Sequence, residues 1–157
     1  MTLLLLFAST SFASGLLFVN IYTSLVDAKS WGANIPRSIE TAREYQKIVN
    51  PGNFFRIISP ANQVVALLVL ILSWKVSANA RVYSGIALVL YVCVDVFTFA
   101  YFYKKNKIMF ETTPLPDTET LKNALAGWRS MNWVRSLVIL AGLVFSFLAL
   151  NEIYTVK

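Results

Sequence analysis

The sequence predicts an all-α fold: a polytopic membrane protein built as a four-transmembrane-helix bundle, with an amphipathic helix in the first long loop. Three observations carry this. The chain is 57% hydrophobic and only 14% charged, where soluble domains carry about 25% charged residues. It contains four apolar runs, each reaching the ~20 residues that a ~30 Å hydrocarbon layer requires of a helix. The runs do not alternate in polarity as the strands of a membrane barrel would; the stretch from Val64 to Leu72 is apolar all round.

The spans are expected at about 3–26, 57–76, 83–103 and 133–154, with residues 1–157 forming a single membrane domain. The first run is read as a retained span. Ala13-Ser14-Gly15 offers small residues for cleavage, but Met1-Thr2 leads straight into leucines with no basic segment before them. Between the second and third spans, Lys75 to Arg81 leaves room for a helical hairpin and nothing larger.

The other two connections are long and patterned. Asn34-Ile35-Pro36 reads as a helix start, with Asn34 as cap and proline in the first turn. Ile35, Ile39, Ala42, Tyr45 and Val49 then recur near helical spacing opposite Arg37, Glu40, Glu44 and Lys47, until Asn50-Pro51-Gly52 stops the helix. That pattern suits a helix at the membrane interface. In the last connection, Asp117 or Thr118 can cap a helix that runs without a strong breaker into the fourth span.

Basic residues set an expected orientation. The long connections hold Lys29, Arg37, Arg43, Lys47, Arg56, Lys104, Lys105, Lys107, Lys122 and Arg129, with Arg135 just inside. Of the 14 basic residues this leaves only Lys75, Arg81 and Lys157 for the opposite side. The positive-inside rule then puts the long loops in the cytoplasm of a cell inner or plasma membrane. The net charge of +6 suits contact with anionic headgroups. Membrane lipids are the expected partners. Nucleic acid is not, because no basic stripe interleaves with exposed aromatics.

Several chemistries are excluded by composition. With no histidine, the chain cannot form a bis-imidazole haem site, a histidine-bound metal site or a Ser-His-Asp triad. The single cysteine, Cys93, rules out an internal disulfide or a cysteine-bound cluster within the chain, and is read as a small packing residue. The carboxylates show no metal-ligand spacing. No metal and no cofactor are expected.

What remains is a layer of polar side chains. Asp95 lies well inside the third run, where an ionised group costs roughly 2.5–3.5 kcal/mol unless partnered or hydrated. It stands two turns from Tyr103, about 12 Å at 1.5 Å per residue. Asn20, the pair Asn62 and Gln63, and the pair Asn132 and Arg135 fall in the same half of their own spans. Asp95 shares a helix face with Tyr91, Thr98 and Phe102, and Arg135 shares one with Trp128 and Asn132. All four spans thus point to one polar pocket opening toward the long loops, with Arg135 or Asn132 as the partner expected for Asp95. The structural reading beside it is a neutralising Asp95–Arg135 pair that fixes helix register, with amides that bond across helices at about 0.6 kcal/mol each.

Trp128-Arg129-Ser130-Met131-Asn132-Trp133-Val134-Arg135 carries a W-x3-N-x2-R pattern at the head of the last span. With four spans in a short chain and an extended first loop, this resembles the small membrane-protein family that includes the anthrone oxygenases. The resemblance makes Trp128, Asn132 and Arg135 the family positions. It implies oxidation of a phenolic anthrone to the quinone without a bound metal. Asp95 is not part of that pattern.

Two functions follow. The first is a cofactor-independent oxygenase or oxidoreductase acting on a lipophilic phenol or quinol. Asp95 would be the base, Arg135 and Asn132 would stabilise the anion, and Asn20, Tyr22, Asn62, Gln63, Tyr91, Thr98 and Trp128 would line the ligand site. The second is a non-enzymatic accessory subunit that binds lipid, quinone or a partner membrane protein, as a homo-oligomer or in a larger membrane complex. A transporter fits less well, since the chain shows no inverted repeat or broken helix.

Overall fold

The computed structural model describes residues 1–155, and they are helical nearly throughout. Four helices are long and apolar enough to cross a membrane: α1 (Thr2–Trp31), α3 (Pro51–Ser73), α4 (Ala78–Glu111) and α5 (Thr118–Thr155). The amphipathic helix α2 (Arg37–Gln46) lies in the first loop. Consecutive spans are neighbours around a ring: α1 packs on α3 and α5, and α4 packs on α3 and α5.

The boundaries differ from expectation where capping chemistry outweighs hydropathy. α3 starts at Pro51 rather than near residue 57, because Asn50 is extended and Pro51 occupies the first turn, the one helical position where a missing N–H costs nothing. Pro60 therefore sits inside the helix. α4 starts at Ala78, where the Ser77 hydroxyl accepts from the Ala80 N–H at 3.0 Å, and it runs on to Glu111 through two π-helical turns, Thr98–Phe102 and Lys107–Glu111. A third π-turn, Thr23–Asp27, lies in α1. α5 is one continuous helix from the long-loop surface through the membrane, as the unbroken pattern indicated. Its cap is Asp117, which accepts from the Thr120 N–H at 2.9 Å and from the Thr120 hydroxyl at 2.7 Å.

α2 begins at Arg37, not at the expected cap Asn34. It buries Ile39 against Trp31, Phe102, Met109 and Leu121. Tyr45 and Val49, assigned above to its apolar face, are exposed: Tyr45 lies in the last turn of the helix, and Val49 lies beyond its end at Gln46. Arg43 fastens it to the end of α4: its guanidinium donates to the carbonyls of Met109 (2.7 Å), Thr112 (2.9 Å) and Ile108 (3.3 Å). These are carbonyls that a helix end leaves without a partner of its own.

Lipid tails are as apolar as leucine, so close packing rather than water exclusion holds such a bundle together. Small residues fill the contacts: Ala13, Ala66, Ala80, Ala87 and Ala149 are buried. The Ser73 and Ser84 hydroxyls meet at 3.2 Å between α3 and α4. Gly142 of α5 takes the ring of Tyr91 from α4, and a methyl at Gly142 would lie 2.6 Å from Tyr91 Cε1. One turn on, the Ser146 hydroxyl meets the Tyr91 hydroxyl at 2.8 Å. The Gly142-x3-Ser146 pair is thus spent on α4. Ser11 and Gly15, the other small pair, meet nothing comparable, and a methyl at Gly15 would have open space.

Candidate functional site

The polar layer divides into two walls. On the first, α1 meets α5. Asn20 is fully buried, and its Nδ2 donates to the Ser136 hydroxyl (2.6 Å) and the Asn132 carbonyl (3.1 Å). The buried Asn132 returns the contact, its Nδ2 donating to Ser24 Oγ (2.6 Å), the Asn20 carbonyl (3.0 Å) and Thr23 Oγ1 (3.3 Å). Asn20 Oδ1 accepts from Arg135 through Nε at 2.7 Å and again through Nη2. Arg135 is 6% exposed. Its guanidinium carbon lies 4.4 Å from the Phe102 ring centroid and 5.0 Å from that of Phe55, within cation–π reach of both.

On the second wall, α3 meets α4. Asp95 Oδ1 accepts from the Ser59 hydroxyl at 2.7 Å, and Oδ2 accepts from Gln63 Nε2 at 2.7 Å. The same Gln63 nitrogen also lies 3.4 Å from the Tyr91 carbonyl. The two donors fix the carboxylate plane and occupy two of its roughly four lone-pair positions.

The expected contact of Asp95 with Arg135 or Asn132 is not made. Among the described residues the one ion pair within 4.0 Å is Lys47–Glu44, at the surface. The cause lies in the ring of helices: each group is satisfied by the helix beside its own, Arg135 by Asn20 of α1 and Asp95 by Ser59 and Gln63 of α3. Both nevertheless line one cavity of about 620 Å³, together with Thr98, Trp128, Phe55 and Phe102. Its size is that of small-molecule sites, which run to about 300–1,000 Å³. Arg135 Nη1 reaches Thr98 Oγ1 at a long 3.4 Å, so most of its outer N–H groups are left without a strong acceptor.

Of the residues assigned to the ligand site, Thr98 and Trp128 line the cavity and the others stand outside its lining. Tyr22 is 56% exposed, on the outer face of α1. Asn62 is buried against α1, accepting from Ser9 Oγ at 3.0 Å. Tyr91 is committed to Gly142 and Ser146. Gln63 is bonded to Asp95, and Asn20 to Arg135. Asn132 likewise fastens α1 to α5 without lining the cavity. Two buried amide atoms, Asn62 Nδ2 and Asn132 Oδ1, meet no protein partner. Cys93 is exposed on the outside of α4 and is not a packing residue.

Sequence reasoning missed Ser59, Phe55 and Trp31. Ser59 and Gln63 are one turn apart, so one face of α3 can grip both oxygens of a carboxylate; that spacing was visible. Trp31 was not, because it lies in the last turn of α1, beyond the expected end of the first span at residue 26. There it stacks edge-on against Trp128 at 5.2 Å, while the Trp128 indole N–H donates to Asn106 Oδ1 at 3.0 Å. The π-turns had no sequence signal either. Two of them present Thr23 and Thr98 to the cavity, and such turns recur at functional sites.

A family model described as anthrone oxygenase matches residues 53–145. The match covers more than half of the chain and includes Ser59, Gln63, Asp95, Thr98, Trp128, Asn132 and Arg135. No curated protein and no solved structure matches it. The chain is a multi-pass membrane protein that belongs to the anthrone oxygenase family.

Proposed function

We propose that the chain is a membrane oxygenase that converts a lipophilic phenolic anthrone, or a related phenol or quinol, with dioxygen as the oxidant. The observation that carries this reading is the pair of opposed groups on one cavity: a hydrogen-bonded carboxylate, Asp95, and a buried guanidinium, Arg135, that has no carboxylate against it. A base on one wall and an unspent cation on the other suit a substrate that becomes an anion between them.

The chemistry balances with dioxygen alone. Asp95 takes the proton of the ring methylene, and the anion is delocalised as an enolate onto the ketone oxygen across the central ring, beside Arg135. The carbanion reduces dioxygen and forms a C–O bond, giving a peroxide anion that regains the proton from Asp95. The hydroperoxide then loses water and leaves a carbonyl. In sum, one ring methylene and one dioxygen become one ketone carbonyl and one water. Ser59 and Gln63 orient the base. Asn20 holds Arg135 in place, and Phe55 and Phe102 flank the guanidinium with apolar surface on which a flat ring can lie.

The test uses purified protein in lipid nanodiscs with 1,8-dihydroxyanthrone under 18O-labelled dioxygen. The expected result is quinone formation well above that in empty nanodiscs, with one labelled oxygen in the product. Binding of the anthrone with no such acceleration would instead favour a non-enzymatic lipid- or quinone-binding protein.

A further inference from the structure

The cavity lining carries an unbalanced charge. Arg43, Lys47, Arg56, Lys104, Lys107 and Arg135 face it, against only Asp95 and Glu111. Two of these cations are already engaged, Arg43 with the α4 carbonyls and Lys47 with Glu44. Arg56, Lys104 and Lys107 are exposed lining residues, so they stand at the opening. Among the described residues none of the three meets a carboxylate within 4.0 Å. The opening also has an apolar side. Pro60 of α3 and Phe99 and Tyr103 of α4 are exposed and line it too. α3 packs on α4 mainly through the Ala78–Phe97 stretch, and Pro60, Phe99 and Tyr103 put exposed cavity lining on both of these helices beside that contact.

We propose that the natural ligand is a flat lipophilic molecule bearing a second acidic group, a carboxylate, that enters between α3 and α4 and leaves this group on Arg56, Lys104 and Lys107 while its ring system lies inward beside Phe55, Phe102 and Arg135. The claim names the substrate class of the oxygenase reading and rests on it for the inner end of the cavity. The outer end rests on charge complementarity alone. A basic rim concentrates anions and orients them before docking, and a carboxylate on several cationic donors makes charge-assisted hydrogen bonds, roughly twice as strong as neutral ones. An apolar flank beside the rim suits a ring arriving from the bilayer. The rim chemistry is shared with an anionic lipid headgroup, so the test separates the two sources.

The probes are 2-anthracenecarboxylate and its neutral counterpart 2-(hydroxymethyl)anthracene, titrated by fluorescence anisotropy into the protein in phosphatidylcholine nanodiscs, with empty nanodiscs subtracted. The expected result is about tenfold tighter binding of the carboxylate. That preference is lost in R56Q/K104Q/K107Q and weakened by 0.5 M NaCl, as screening requires, while carbinol binding shifts less than twofold. All three side chains are exposed, and an unchanged melting temperature verifies that the variant folds. Equal binding of the two probes, no binding of either, or a preference that survives the triple substitution would overturn the proposal. So would full displacement of the carboxylate by one-fifth phosphatidylglycerol in the nanodisc, which would make the rim a lipid site. Turnover of 1,8-dihydroxyanthrone, which lacks a carboxylate, reports on the oxygenase reading separately and persists if only the anion claim fails.

Discussion

Arg135 places two guanidinium nitrogens, Nε and Nη2, on the single amide oxygen of Asn20. A buried cation thus leans on a neutral acceptor rather than on the carboxylate that shares its cavity. The arrangement leaves the charge of Arg135 uncancelled by direct contact, and that charge is what an anionic ligand meets.

Replacing Asn20 separates support from charge. Asn20→Ala strands Arg135 and cuts the bonds to Ser136 and the Asn132 carbonyl, so a loss of about 2 kcal/mol is expected, in the range for hydrogen bonds to a charged group. Asn20→Asp keeps the acceptor and adds a negative charge. It also loses the donors to Ser136 and the Asn132 carbonyl, so it is expected to melt below the wild type but above Asn20→Ala, while weakening the binding of anionic anthracenes. Thermal unfolding in detergent, with anisotropy binding alongside, checks both.

Gly142→Ala is expected to destabilise the bundle by about 1–3 kcal/mol, the usual cost of overpacking, because the added methyl would lie 2.6 Å from Tyr91 Cε1. Tyr91→Leu removes the ring, so the double variant should cost less than the sum of the two. Gly15→Ala, with nothing near its Cβ position, should change the melting temperature little.

The two small-residue pairs show where sequence was informative and where it stopped. Ser11–Gly15 and Gly142–Ser146 have the same spacing, and only the packed structure shows that Tyr91 uses the second. The four spans, the amphipathic helix and the single long last helix were legible, because hydropathy and caps are local. The membership of the polar layer was mostly legible too, since depth in a span follows from counting residues. Who bonds to whom was not. Depth says nothing about rotation about a helix axis or about which neighbour lies closer. Asp95 therefore meets Ser59 and Gln63 rather than Arg135, and Tyr22 turns outward. The π-turns shift register by a fraction of a turn, which periodicity cannot reveal.

The start of α5 is expected to loosen in acid. The Thr120 hydroxyl and N–H bonded to Asp117 hold its carboxyl below the usual carboxylate range. Its folded value is the lower one, so the stabilisation is present above the unfolded value near 4 and is lost as pH falls through the folded value. Hydrogen exchange of the Thr120 amide should accelerate relative to mid-helix amides such as Ile139 as the pH falls below about 4. In Asp117→Asn that pH dependence should vanish.

With Cys93→Ser as background, Thr41→Cys in α2 and Asn79→Cys at the start of Ala78–Phe97 put exposed thiols on opposite ends of the bundle. The excess of basic residues beside the long loops predicts that an impermeant maleimide reaches Asn79→Cys from outside intact cells and Thr41→Cys only after lysis. The reverse pattern would invert the orientation.

The central claim is that Asp95 and Arg135 act on a ligand from opposite walls rather than on each other. A double-mutant cycle of Asp95→Asn and Arg135→Gln, read in both melting temperature and 1,8-dihydroxyanthrone turnover, tests it most directly. The account predicts that Asp95→Asn still folds and binds the anthrone but loses at least about a hundredfold in turnover, within the roughly 10²–10⁴ range of acid–base contributions. It also predicts that the double variant regains only a small part of the stability lost in the two single variants, because the charges lie across the cavity from one another without direct contact. Restored stability together with recovered turnover in the double variant would mean that the two charges serve one another, and would contradict the account.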